Sequence, residues 1–129
     1  MGVLLQGQTY SSSVDGIKKY WKVEDLWEHA KTLPVEILPI ETLVEQLQGT
    51  CWTDGDEDVT PEWVLGHTRR ILKSDLNFPI LVDGNNIIVD GVHRLCKALL
   101  EGKEAVKVQR LPTLPEPLFV TDEEFPLFI

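Results

Sequence analysis

The run Ile80-Leu-Val-Asp-Gly-Asn-Asn-Ile-Ile-Val-Asp-Gly-Val-His-Arg-Leu-Cys-Lys-Ala-Leu-Leu-Glu-Gly102 decides how this chain is read. Pro79 to Val82 and Ile87 to Asp90 are β-rich stretches separated by Asp83-Gly84-Asn85-Asn86, a turn tetrapeptide that signals a hairpin. After Asp90-Gly91 the period changes. Leu95, Ala98, Leu99 and Leu100 recur at helical spacing, and Gly102 is a natural stop. A helix that begins just after a glycine turn presents unpaired backbone N–H groups and its positive dipole end in front of Val92, His93 and Arg94. Such a terminus is an anion cradle. Arg94 adds a forked guanidinium suited to phosphate, and His93 adds an imidazole that can donate or exchange a proton. The segment predicts a phosphate-binding turn formed by Gly91, Val92, His93 and Arg94, most economically that of a nucleotide.

Upstream, Thr60-Pro61 offers a capping hydroxyl and a first-turn proline to a helix expected to run to Asn77. Val64, Leu65, Thr68, Ile71, Leu72 and Leu76 form its expected buried stripe. His67 and Arg70 lie three apart on it and project from one flank, so both are candidate ligand contacts. The acidic stretch Thr53-Asp-Gly-Asp-Glu-Asp-Val59, with Glu62 behind it, reads as a loop. Its Glu57 and Asp58 are candidate general bases opposite the phosphate. Asp90 is a further catalytic candidate with His93: it can orient His93 or Arg94, meet a magnesium ion carried by the nucleotide, or simply cap the helix. No resident metal site is expected.

The rest of the chain supplies a scaffold. Val23, Leu26, Trp27 and Ala30 repeat as an amphipathic helix that ends before Leu33-Pro34. Val35 to Ile40 reads as a strand with Val35, Ile37 and Ile40 alternating, and its proline near an end or on an edge. Glu41 to Gln48 predicts a short helix with Leu43, Val44 and Leu47 on one face and Gly49 as its stop. Ala105 to Leu111 is the expected final strand, before a proline-rich tail. Residues 1 to 20 contain the polar run Gln6 to Ser13, a loose arm or an edge strand. Among the tryptophans, Trp27 and Trp63 are expected in the core by helical spacing. Mixed elements in this order predict an α/β or α+β fold, a small mixed sheet flanked by helices. Within one compact domain the chain divides into an arm and helix (1–34), a nucleotide-binding unit (35–111) and a tail (112–129).

Composition narrows the partners. The 129 residues carry a net charge of -9, and 43% are apolar, enough for one ordinary core. That charge argues against tracking along nucleic acid, which is bound mostly through Lys and Arg. Cys51 and Cys96 lie far apart without metal-like spacing, as in a chain with reduced thiols. Neither a signal peptide nor a membrane span is read, so a cytoplasmic setting without membrane association is expected. The tail Thr121-Asp-Glu-Glu-Phe-Pro-Leu-Phe-Ile129 couples acidic residues to an apolar end, and suits folding back or docking on a protein partner or a second copy.

The run Asp90-Gly91-Val92-His93-Arg94 after a strand, the helix through Gly102 and the strand Val106-Lys-Val-Gln-Arg110 together resemble the ParB N-terminal and sulfiredoxin superfamily. The pairing of Val35 to Ile40 with Thr60-Pro61 and its helix is similar too, so the likeness covers residues 35 to 111. Members include nucleotide-binding partition proteins, sulfinic-acid reductases, free-serine kinases and some nucleases, which share a phosphate site at this helix start. The resemblance places the helix bearing His67 next to the cradle. Val92 stands where the reductases need a cysteine, and Cys96 lies about one turn further on, so reductase chemistry is not implied. The Asp-Gly-x-His-Arg form is nearest to the free-serine kinase branch.

Three functions follow as expectations. The first is a small phosphotransferase or nucleotide hydrolase that uses a nucleoside tri- or diphosphate with magnesium. The second is a non-catalytic regulatory or inhibitory module that keeps the fold. The third is a nuclease, disfavoured by the acidic charge.

Overall fold

A computed structural model describes residues 9–14, 16–49 and 58–122. Strand β1 (Thr9–Val14) turns back through Gly16, at φ 76°, into β2 (Ile17–Lys22). Helix α1 (Val23–Ala30) follows at once and buries Val23, Leu26 and Ala30, the three- and four-residue spacing of one face. Strand β3 (Val35–Pro39) leads into two 3-10 segments, Ile40–Thr42 and Val44–Gln48. Helix α2 (Pro61–Lys73) starts where Thr60 Oγ1 accepts the Trp63 N–H at 3.1 Å. Then come β4 (Ile80–Asp83), β5 (Ile88–Asp90), α3 (Val92–Leu100), β6 (Ala105–Leu111) and β7 (Phe119–Asp122).

The strands form two sheets, β1-β2-β7 and β3-β6-β4-β5. In the larger one β6 runs parallel to β4, while β3 with β6 and β4 with β5 are antiparallel. This is the α+β fold that the pattern predicts, a small mixed sheet with helices against it. Alternation along β4 organises two apolar clusters on its two faces. Ile80 and Val82 pack with Leu95 and Ala98 of α3, Leu43, Val106 and Val108. Leu81 faces the other way, against Trp21, Leu26, Ala30 and Leu111. Trp21, Leu26 and Ala30, all before residue 35, thus share a core with the sheet. No helix among the described residues is long and apolar enough to cross a membrane.

Four expectations change. Residues 41–48 form 3-10 turns, not one helical face, although Leu43 is fully buried as expected. On β3 the alternation is inverted: Val35 and Ile37 are exposed, and Glu36 and Leu38 turn inward. Glu36 does so because Arg110 of β6 reaches it at 3.2 Å. Helix α2 stops at Lys73, short of Asn77, and buries none of its stripe; Val64, Leu65 and Leu72 are 48%, 47% and 63% exposed. Its inward flank is instead Trp63, Gly66, His67 and Ile71, the four half-buried positions of the helix. Finally, β1, β2 and β7 make a second sheet: β1 is an edge strand, one of the two readings of that polar stretch, while β7 comes from what reads as a proline-rich tail.

Candidate functional site

The turn between β4 and β5 is held by Asp83, whose Oδ1 accepts the N–H groups of Asn85 and Ile87 at 2.8 and 2.9 Å. The hairpin delivers Asp90 and Gly91 to the front of α3. Gly91 is the N-cap at φ 116°, in the left-handed region that favours glycine. A Cβ there would also lie 3.2 Å from the Ile80 side chain and 3.3 Å from its Cα, so the position excludes any larger residue on two grounds. A glycine N-cap offers α3 no capping side chain of its own, and the first hydrogen bond of the helix runs from Leu95 N–H to Gly91 O at 2.9 Å. The preceding amides, those of Val92, His93 and Arg94, have no intrahelical acceptor, as at every helix start.

In front of them lies a cleft of about 1000 Å³. Asp90, Gly91, Val92 and His93 line it from one side; Asp58, Glu62, Trp63, His67 and Arg70 do so from the other. His67 Nδ1 meets His93 Nε2 at 2.8 Å. The ring centroids are 5.1 Å apart and the planes differ by 15°, a separation equal to one N···N hydrogen bond plus two ring radii. The imidazoles therefore meet edge to edge in one plane rather than face to face. Trp63 lies over His67 at 4.2 Å and fixes that ring.

Burial first, then the neighbouring His67 and Arg70, hold His93 below its ordinary 6.5, while Asp90 pulls weakly upward. At neutral pH His93 is uncharged, and a single proton bridges the pair. Which ring donates it depends on the tautomer. Asp90 is neither the helix cap nor a partner of Arg94: its Oδ2 accepts Trp27 Nε1–H from α1 at 2.7 Å. Tyr10, on β1, completes the rim of the cleft. Burial, with Asp83 nearby, pushes its phenol up, so it stays a hydrogen-bond donor.

The cleft gathers Asp90, Gly91, Val92, His93, His67, Arg70 and Asp58 as the sequence predicts. Arg94 departs from the prediction. Its side chain leaves the cleft, donates from Nη1 to Pro79 O at 2.7 Å, and lines a different hollow. One step along a helix turns a side chain by more than a quarter of a circle, and here that step carries Arg94 away from the cleft to Pro79 O. Only the Arg94 amide remains at the helix start. Glu57 lies outside the described residues, as do Cys51, Trp52 and the tail beyond Asp122. Trp27 packs against the core as expected, half-buried, while its indole N–H serves Asp90; Trp63, also expected in the core, is half-buried against His67. The serine-rich β1 that brings Thr9, Tyr10 and Ser11 to the rim carried no signal of such a role.

Among the described residues no group of three His, Cys, Asp or Glu side chains is placed to hold a metal ion. Asp58, Glu62 and Asp90 each line the cleft as separate oxygen donors. Compared with protein-family models, with curated proteins and with solved structures, the chain matches none.

Proposed function

We propose that the cleft in front of α3 binds the phosphate groups of a nucleotide in a cytoplasmic protein. One observation carries this reading: a helix start with glycine at its N-cap opens onto the same cleft that receives His67, His93 and Arg70. The amides of Val92, His93 and Arg94 take phosphate oxygens, and Arg70 supplies a full positive charge beside His93, which its surroundings keep uncharged at neutral pH. Val23, Val89 and Trp63, also on the walls, offer apolar surface to the nucleoside. The likeness to the ParB and sulfiredoxin superfamily agrees with this ligand, with Arg70 in the part that sequence assigned to Arg94.

Catalysis, on the same reading, is phosphoryl transfer to a hydroxyl or to water. Asp58 or Glu62 accepts the proton of the attacking group, and the imidazole pair, once it has taken up a proton from solvent with the bound phosphate, passes that proton to the leaving oxygen. A magnesium ion carried by the nucleotide would neutralise charge on the phosphates. Binding alone is the second reading, favoured by the exposed Val64, Leu65 and Leu72 on α2, which suit a protein partner. A nuclease gains no support from the cleft, where Asp58, Glu62 and Asp90 outnumber Arg70.

Calorimetry with ATP, ADP, CTP and GTP, each with magnesium, tests the proposal. At least one should bind, and Arg70→Ala should weaken it by about 1.5–3 kcal/mol, the worth of a hydrogen bond to a charged group. If none binds at millimolar concentration, the reading fails.

A further inference from the structure

A second hollow, of about 280 Å³, shares no lining residue with the cleft. Ile80, Ala98 and Val106 form its apolar floor, and Ile37 and Phe78, 64% and 60% exposed, stand at its rim. Arg94, Lys103 and Lys107 line it as well, and no Asp or Glu does. In a chain of net charge -9, three cations around one apolar hollow with no carboxylate among them is a marked local reversal.

Arg94 is the fixed element. Its Nη1–H is tied to Pro79 O at 2.7 Å, while Nε is shielded from solvent and has no hydrogen-bond partner among the described residues. The half-buried Arg94 is thus held in place by one carbonyl with its charge beside the hollow, and an anion entering there would offset it. Lys97, nearby, is committed to the carbonyls of Leu72 and Ser74 at 3.1 and 2.6 Å. Asp75 and Glu101 border the adjoining groove that shares Lys103, so the cationic character is strongest on the side of Arg94 and Lys107.

We infer that this hollow binds a small organic carboxylate: one anionic head towards Arg94, Lys103 and Lys107, and an apolar body against Ala98, Val106 and Phe78. Its volume lies at the low end for small-molecule sites, about 300–1,000 Å³, so the body is a single ring or a short chain. Apolar walls select against an inorganic anion, which would lose its hydration without recovering it there. The inference is independent of nucleotide binding at the cleft.

Amide NMR of the full chain tests it with three probes: benzoate, the neutral analogue benzyl alcohol, and inorganic phosphate. Benzoate should shift the amides of Phe78, Ala98 and Val106 saturably and bind at least about tenfold more tightly than either control, a difference of about 1.4 kcal/mol. The double variant Lys103→Gln, Lys107→Gln alters two exposed side chains and should lose most of that affinity while its spectrum stays folded. Equal binding of benzyl alcohol or phosphate overturns the inference, as does the absence of benzoate shifts or an unchanged affinity in the double variant. Nucleotide shifts at Gly91 and His93 are recorded separately, so the two sites succeed or fail apart.

Discussion

His67 Nδ1 stands 2.8 Å from His93 Nε2 in nearly the same plane, leaving room for one proton between the rings. Two imidazolium rings would point two N–H groups at each other along that line, so the bonded pair carries at most one positive charge. A phosphate at the start of α3 therefore meets a pair that can gain a proton only by sharing it or by breaking the bond. The arrangement couples ligand charge to proton uptake at the place where the helix dipole already favours an anion.

The first prediction concerns acid. His93 is held below its ordinary 6.5, chiefly by burial. Between its folded value and 6.5 the unfolded chain binds more protons than the folded one, so stability falls as pH drops through that window and is at its full value above it. Thermal unfolding from about pH 8 to about pH 5 should show a smaller acid loss in His93→Gln than in the wild type. Parallel losses would mean that another group is responsible. In His67→Phe, which removes a neighbouring charge, the His93 titration followed by NMR should move up towards 6.5.

The two arginines should separate binding from folding. Arg70 lines the cleft, whereas Arg94 supports the β4 entry through Pro79 O. Arg94→Ala removes a charged hydrogen bond and should cost about 1.5–3 kcal/mol of folding stability in urea unfolding, while nucleotide affinity changes little. Arg70→Ala, at an exposed position, should do the reverse. The opposite pattern would restore Arg94 to the ligand.

Gly91→Ala should be among the most damaging single changes at the site. The position requires φ 116°, and the new methyl would meet Ile80 Cα at 3.3 Å, which is backbone and cannot swing aside. Strain of about 1–3 kcal/mol is expected in denaturant unfolding, together with weakened phosphate binding as the first turn of α3 shifts. A variant as stable as the wild type would show that the helix start adapts.

The start of α3 was legible because it is local: strand, glycine and helix start are adjacent, and backbone physics links them. Gly91 and the start of α3 were read correctly for that reason. The direction of Arg94 was not legible, since its partner Pro79 lies fifteen positions back and competes with any ligand for the same guanidinium. The His67–His93 pair joins two helices, and sequence spacing could place both residues near the cleft without showing that the rings touch. The second sheet failed to register because its pairing of β1, β2 and β7 joins the two ends of the chain, and its serines and lysines give little apolar alternation. Spacing placed Trp27 against the core, where it packs, but could not show that its indole N–H reaches Asp90, sixty-three positions away.

The outer face of α2 makes the sharpest contrast with its sequence pattern. Periodicity marks Val64, Leu65 and Leu72 as core, yet they are exposed, because the helix turns Trp63 and His67 towards the sheet and α3. Leu72→Gln should then change stability by no more than about 0.5 kcal/mol, as at an ordinary surface site. Leu95→Ala, with Leu95 fully buried in α3, should cost about 2–5 kcal/mol through lost burial and the cavity left behind. Urea unfolding of the two variants decides the matter. If Leu72→Gln costs as much as Leu95→Ala, the face of α2 is covered in solution, and the protein-partner reading gains over an isolated enzyme.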